Sequence, residues 1–316
     1  MESHRMQYLV GIGGWEHEVL DSCLYPRAGM ASGEKLAYYA GIFGAAEVRP
    51  TFWDETLSSH DAREWVEAVS GAREFLFSVK LHRAFTHRRE IRPAMTRNVR
   101  GILQELARHN RLGALLMQFP YGFTNTGASR HHLVKLAEVF TGFPVHVEFR
   151  HDSWQTPSLL SFLTENGLRS VSADLPRVRQ LMPFLTGQAG DVAYLRLHGR
   201  NEKGWLLNSM DTRYDYLYNG REIMELRRRI AALSGRCRRV VVICNNTSGG
   251  KAVANALQLA SALSQGERVA VPAAAFRTFP SVQELGVPLE SVVESVVESV
   301  AEQATLFTQP GLRSAI

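Results

Sequence analysis

Apolar residues along this chain fall into short runs that alternate with longer amphipathic stretches. Runs of four to seven residues with a period-2 pattern predict β-strands near 8–13, 45–49, 75–80, 113–118, 144–150, 169–174, 192–198 and 239–245. Apolar positions at helical spacing predict helices near 33–43, 60–71, 93–110, 128–141, 156–166, 220–234 and 250–264, with a weaker pattern over 176–186. Strands nearly all followed by helices, packed into about 260 residues, match an α/β fold of the TIM (β/α)8 barrel type. An open doubly wound sheet is the alternative, because spacing alone does not show closure. The barrel domain is expected over 6–265. Residues 266–316 form a C-terminal extension: a loop over the barrel to about residue 290, an amphipathic helix over 289–302 from the repeated Glu-Ser-Val-Val step, and a flexible tail from 303 to 316.

Alternation along each strand also separates its two faces. Taking the more apolar face to point at the helices leaves the other for the lumen. That assigns to the lumen Glu47 and Arg49, Ser78 and Lys80, Leu116 and Gln118, and His146, Glu148 and Arg150. It adds Ser170, Ser172 and Asp174, then Tyr194, Arg196 and His198, and lastly Ile243 and Asn245. A barrel lumen with a purely structural role is filled by Val, Ile and Leu, whereas here polarity rises toward the C-terminal strand ends, where such barrels hold their sites. Unpaired buried charges are costly, so this concentration demands partners or a ligand.

The 316 residues are 45% apolar, ordinary for a globular chain, and no run approaches the length of a membrane span. The first strand begins almost at once, leaving no room for a cleavable signal, so a cytoplasmic protein without membrane association is expected. Cys23, Cys237 and Cys244 lack metal spacing and read as reduced structural thiols. The formal charge of +5 is carried almost wholly by Arg, with Lys only at 35, 80, 135, 203 and 251. It suits an anionic ligand without specifying one.

Candidate chemistry follows from the lumen set. Glu148 is the first choice of general acid or base, its pKa adjustable by Arg150 and Arg196, with His198 as alternative proton carrier and Asp174 beside them. Lys80 is the fourth catalytic candidate; it closes a strand and, with His87 in the basic loop after it, is also suited to hold phosphate or carboxylate. Glu47, Gln118, Arg150, Arg196, Asn245, Asn246 and Trp15 complete the substrate-binding set, and the loop with Trp15, Tyr25 and Pro26 is expected to cover the mouth. Glu148, Asp174, His198 and Glu47 would be the ligands of a divalent metal, but four cations in the same lumen allow internal ion pairing instead, so no cofactor is required. Gly11-Ile12-Gly13-Gly14 lacks the third glycine of a dinucleotide fingerprint and reads as a strand end that needs close backbone approach. Asn245 to Lys251 has the wrong spacing for a Walker A loop. It is either an anion seat at a helix N-terminus or a turn capped by Ser248.

These segments resemble the YecE-like family, or domain of unknown function 72. The resemblance rests on Gly13-Gly14-Trp15, on Glu47 with Thr51-Phe52-Trp53, on Lys80 with Thr86-His87, and on Gln118-Phe119-Pro120. It continues through Glu148-Phe149-Arg150-His151 with Ser153-Trp154, Asp174 and Pro176, Arg196-Leu197-His198-Gly199, and Asn245-Asn246 with Ala252, Asn255 and Ala256. It implies a TIM barrel with a pocket made from these residues, and it implies no reaction. Arg49-Pro50 and Trp53 depart from the family's usual residues at the strand-two side of the pocket.

Three functions are compatible with this reading. The first is an enzyme acting on a small anionic or polyhydroxylated molecule. The second is a nucleic-acid-binding protein or metal-assisted phosphodiesterase, drawing on the basic loop after strand three and on Arg227, Arg228 and Arg229. The third is a non-catalytic ligand-binding barrel. For the second, Gln303-Ala304-Thr305-Leu306-Phe307 is similar to the peptide by which bacterial proteins dock on the replication sliding clamp, with Gln303, Leu306 and Phe307 as anchors and Ala304 as a departure. Alternatively Leu306 and Phe307 pin the tail to its own barrel.

Overall fold

The computed structural model describes residues 6–187, 190–207, 210–234, 237–264 and 269–286. Eight parallel strands close into a barrel in sequential order, with β8 returning to pair with β1. They are β1 (Gln7–Ile12), β2 (Ala45–Val48), β3 (Leu76–Lys80), β4 (Leu112–Gln118), β5 (Val145–Glu148), β6 (Arg169–Asp174), β7 (Val192–Leu197) and β8 (Arg239–Cys244). Closure leaves no unpaired strand edge, and it rules out the open sheet. The principal helices are α1 (Ser32–Ala40), α2 (Ser59–Ala68), α3 (Pro93–Arg108), α4 (Gly127–Val139), α5 (Leu159–Glu165), α6 (Gly220–Ser234), α7 (Lys251–Leu263) and α8 (Ala273–Thr278). Local sequence starts and faces them. Ser58 and Asp61 form a capping box at α2, and Pro93 opens α3, whose Met95, Val99, Ile102, Leu103 and Leu106 are buried as one stripe.

No helix forms over 176–186. That segment is irregular, tied to the barrel by a bridge between His151 and Leu181 and by the Met182 amide donating to the Arg150 carbonyl. Within the expected loop after residue 265, α8 packs against residues 20–23. Val271, Ala275, Phe279 and Val282 join the same core as the barrel's outer face. The expected helix over 289–302 and the tail bearing Gln303, Leu306 and Phe307 lie outside the described residues. Among the described residues no helix is long and apolar enough to cross a membrane.

Two separate hydrophobic clusters result. The larger lies between strands and helices. The smaller fills the lumen with Leu9, Leu76, Leu116, Val171, Val241 and Ile243, among others. Strand β1 gives up side-chain volume for this packing: a Cβ at Gly11 would fall 1.6 Å from the Ala45 carbonyl oxygen, and one at Gly13 would fall 2.7 Å from Asn245 Oδ1. The glycine run is therefore a close approach of backbones, as its sequence suggests.

Strand β6 has the opposite phase from that expected. Its register pairs Val171 with Tyr194, Ala173 with Arg196 and Asp174 with Leu197. Paired residues of a parallel ladder face the same way, so Val171 and Ala173 turn to the lumen while Ser170, Ser172 and Asp174 turn to the outer layer. The small apolar pair fits the crowded lumen at the level of Tyr194 and Arg196. Outside, Asp174 accepts from Arg200 Nε at 2.8 Å, Arg200 NH2 at 3.0 Å and the Tyr218 hydroxyl at 2.7 Å, which fastens β6 to the segment leading into α6. Asp174→Asn is expected to destabilise the fold by about 2 kcal/mol in urea denaturation, because the charge-assisted pair with Arg200 is lost. An unchanged midpoint would show that this outer cluster contributes nothing.

Candidate functional site

The lumen is apolar at its N-terminal end and ionic at its C-terminal end. Glu47, Lys80, Glu148 and Arg196 sit on the last turns of strand, while Arg49, Arg150, His198 and Asn245 lie just beyond strand ends. Arg196 is the hub. Its Nε and NH2 donate to the two oxygens of Glu47, both at 2.8 Å, and its NH1 donates to Glu148 Oε2 at 2.6 Å. Tyr194 adds a hydroxyl to Glu47 at 3.3 Å. The other oxygen of Glu148 takes Arg150 NH2 at 2.7 Å and His198 Nε2 at 3.2 Å. Glu47, Glu148, Arg196 and His198 are almost wholly excluded from solvent.

Partner chemistry sets the protonation of this group. Asn245 Nδ2 lies 3.0 Å from His198 Nδ1 and can only donate, so Nδ1 accepts and the imidazole proton resides on Nε2, facing Glu148. Desolvation, reinforced by Arg150, lowers the His198 pKa to about 3 despite Glu148, so the ring is neutral at pH 7. Burial alone would raise the pKa of Glu148, but Arg150, Arg196 and His198 outweigh it and hold the carboxylate well below its usual range. Glu148 is thus a fully engaged anion, poorly suited to carry protons near neutrality.

Lys80 differs. Among the described residues no carboxylate pairs with its ammonium, which lies 4.0 Å from the centroid of the Phe52 ring. Desolvation, then Arg196 and Arg49, lower its pKa to about 7, against the opposing pull of Glu47 and Glu148. Arg150 is buried, with its guanidinium 5.2 Å from the Trp205 ring, and among the described residues its Nε and NH1 have no hydrogen-bond partner. Three guanidiniums and one lysine surround two carboxylates, so the mouth has surplus positive charge and two orphaned buried donors. That combination suits an anion.

The remaining expected site residues divide. His87 is an exposed loop residue whose pKa is lowered by partial desolvation and then by Lys80 and Arg150, which brings it to the rim of the same mouth. Gln118 is half-buried, and its amide turns back to the Phe119 carbonyl at 2.7 Å. Asn246 is not at the mouth: its amide donates to the Tyr216 carbonyl and to Asn255 Oδ1, both at 2.8 Å, as a brace for the loop before α6. Trp15 and Tyr25 do not form a cover. Trp15 is buried edge-on against Trp65 and Phe77, and Tyr25 is equally buried, donating to the Trp15 carbonyl. Ser248 does not cap α7, which starts after Gly250 without a side-chain cap, and Lys251 is taken by Asp215 at 2.5 Å.

Asp174 belongs to the outer cluster, so the ligand set Glu148, Asp174, His198 and Glu47 is not assembled. Among the described residues no three His, Cys, Asp or Glu side chains are grouped to hold a metal ion. Trp205 and His17 were not singled out from the sequence as members of the site, and Phe52 was named only through the family resemblance. His17 Nε2 lies 2.9 Å from Arg49 NH1. The aromatic Trp205, in the short helix Glu202–Leu206 that follows the strand end with Arg196 and His198, was the available signal. Beside the mouth, Trp15, Arg49, His17, Trp53 and Gly14 line a cavity of about 160 Å³, so Trp15 borders this side cavity although it does not cover the mouth. A larger one of about 650 Å³ lies beyond β6, between Asp174, Phe184, Arg200 and Arg229.

The model of the family described as "Protein of unknown function DUF72" matches residues 9–278. UPF0759 protein YunF of Bacillus subtilis (strain 168) is 27% identical over 267 residues, covering 79% of this chain and 92% of that protein. A crystal structure of a DUF72 family protein from Thermotoga maritima MSB8 is similar with a TM-score of 0.72 and 30% identity, over 82% of this chain and 99% of that one. One from Enterococcus faecalis V583 has a TM-score of 0.69 and 28% identity, over 82% of this chain and 96% of that one.

Two outcomes follow from the buried charges. Arg196→Met strands two buried carboxylates and is expected to cost roughly 3–5 kcal/mol by chemical denaturation, with Arg196→Lys recovering only part because it lacks the bidentate fork. A loss below about 1 kcal/mol would contradict the hub role. The second outcome concerns pH. His146 and His198 are buried, with pKa values lowered to about 4 and about 3 from 6.5, chiefly by desolvation. The unfolded chain therefore binds more protons below pH 6.5, so their stability contribution is complete above 6.5 and is lost as pH falls toward 4. At about pH 5 each should cost about 2 kcal/mol, measurable as a lower urea midpoint than at about pH 7.5. His146→Gln should flatten that dependence.

Proposed function

Since the chain belongs to the DUF72 family, whose description assigns no activity, we propose from its own geometry that the C-terminal mouth binds a small anionic or polyhydroxylated molecule and moves protons on it. Arg150 anchors the anion and Lys80 carries the proton. The observation that supports this most is the pair of buried donors on Arg150 that lack a partner among the described residues, in the same mouth as a lysine that pairs with no described carboxylate. A buried orphan donor costs roughly 1–3 kcal/mol, a cost that an anion accepting those N–H groups would remove. With a pKa of about 7, Lys80 is divided between acid and base near neutrality, the condition in which general acid–base catalysis is most effective. Glu148, first choice from sequence, becomes a positioning residue that orients Arg150 and fixes the His198 tautomer. Hydrolysis, isomerisation and lyase chemistry all use such a set.

A thermal-shift screen with inorganic phosphate, glycerol phosphate and citrate checks the reading. At least one should raise the melting temperature of the wild type, and Lys80→Ala should reduce its apparent affinity roughly ten-fold or more through loss of a charge-assisted contact. Glu148→Gln should weaken it as well by releasing Arg150. If no anion stabilises the wild type while DNA binds with a steep salt dependence, the nucleic-acid reading replaces this one.

A further inference from the structure

The geometry points to Lys80 as a carbonyl-capturing lysine, whose amine condenses with the C=O of a small anionic carbonyl compound anchored by Arg150. The inference deepens the anion-binding reading and rests on it. Of the five lysines, two are held in ion pairs: Lys35 with Asp21 at 2.6 Å and Lys251 with Asp215 at 2.5 Å. Lys135 and Lys203 are solvent-exposed. Lys80 alone is half-buried at a strand end in the barrel mouth, against the face of Phe52. Thr51 fixes that end by donating its hydroxyl to the Lys80 carbonyl at 2.7 Å.

The groups around Lys80 keep its amine available. From β2 come Glu47 and, just beyond it, Arg49; from β5 Glu148; from β7 Arg196; and from the loop after β3 His87. Both carboxylates are saturated by Arg196, Arg150, Tyr194 and His198. Desolvation and the flanking cations then hold the Lys80 pKa near 7, so about half the molecules carry a neutral, nucleophilic amine at neutral pH. A lysine desolvated beside other cations is the standard way to activate an amine for imine formation.

The step balances without an oxidant or co-reactant. Nζ loses a proton to water, and its lone pair adds to the carbonyl carbon while the C=O pair moves to oxygen, which is protonated. The resulting carbinolamine expels that oxygen as water when the nitrogen pair forms the C=N bond. One ammonium and one carbonyl thus become one protonated imine and one water. The cationic imine draws electrons from the adjacent carbon, weakening its C–H or C–C bond, and hydrolysis restores the lysine.

Borohydride trapping tests this on the full chain. Wild type is incubated near pH 7 with pyruvate, with dihydroxyacetone phosphate or with uncharged acetone, reduced, digested and mapped by mass spectrometry. Hydride addition converts the imine to a stable secondary amine. One or both anionic probes should label Lys80 at least roughly ten-fold more than the exposed Lys135 or Lys203, which lie outside the barrel mouth and its anion anchor. Acetone should label it less. Lys80→Arg keeps the charge and should show no adduct at that position, and the unmodified lysines in wild type serve as internal references should this variant fold poorly. Small anions that raise the melting temperature without any Lys80 adduct would sink the inference and leave the anion site standing. Neither stabilisation nor adduct overturns both.

Discussion

The site depends on one buried guanidinium. Arg196 spans the lumen from β7 and holds Glu47 of β2 with two hydrogen bonds and Glu148 of β5 with a third. Removing charges from water is expensive, and only near-complete pairing makes such a cluster tolerable. Two carboxylates that would otherwise lie buried without partners are held in place. Each then fixes others: Glu148 orients Arg150 and His198, and Asn245 completes the ring by accepting from Arg196 and donating to His198. The apolar layer beneath closes the lumen, so these groups meet solvent or ligand only at the C-terminal mouth.

Saturation of the carboxylates determines what remains reactive. With Glu47, Glu148 and His198 engaged on all their useful atoms, the unspent capacity is cationic: Arg150 keeps two unpartnered donors and Lys80 has no carboxylate partner among the described residues. A purely structural ion network would leave neither. Placing proton transfer on Lys80 and anchoring on Arg150 follows from this asymmetry, whereas the number of carboxylates on the strands would suggest the reverse.

Much of the fold and part of the site were legible in the chain. Strand positions and lumen facing on β2, β3, β5 and β7 follow from alternation, because there a charged face opposes a strongly apolar one, as with Arg196 and His198 against Leu195 and Leu197. On β6 the contrast fails. Val171 and Ala173 are only moderately apolar, Ser170 and Ser172 are small, and the outer partners that donate to Asp174 (Arg200 and Tyr218) come from distant segments. Trp15 misled for a similar reason, since a tryptophan after a strand can close a mouth or fill the helix layer, and only Trp65 and Phe77 decide between them. The change of role for Glu148 was out of reach of pattern reading, because it depends on how many donors converge on one carboxylate.

The most direct measurement is the titration of Lys80 itself, by carbon-13 NMR of the reductively methylated protein, with Lys80→Arg used to assign its resonance. A midpoint near 7 is expected for this one lysine, lowered from the usual lysine value of 10.5. A Lys80 that titrates at the usual lysine value of 10.5 would mean that water or a counter-ion compensates it in the mouth. The unpaired cation on which the functional reading stands would then not exist.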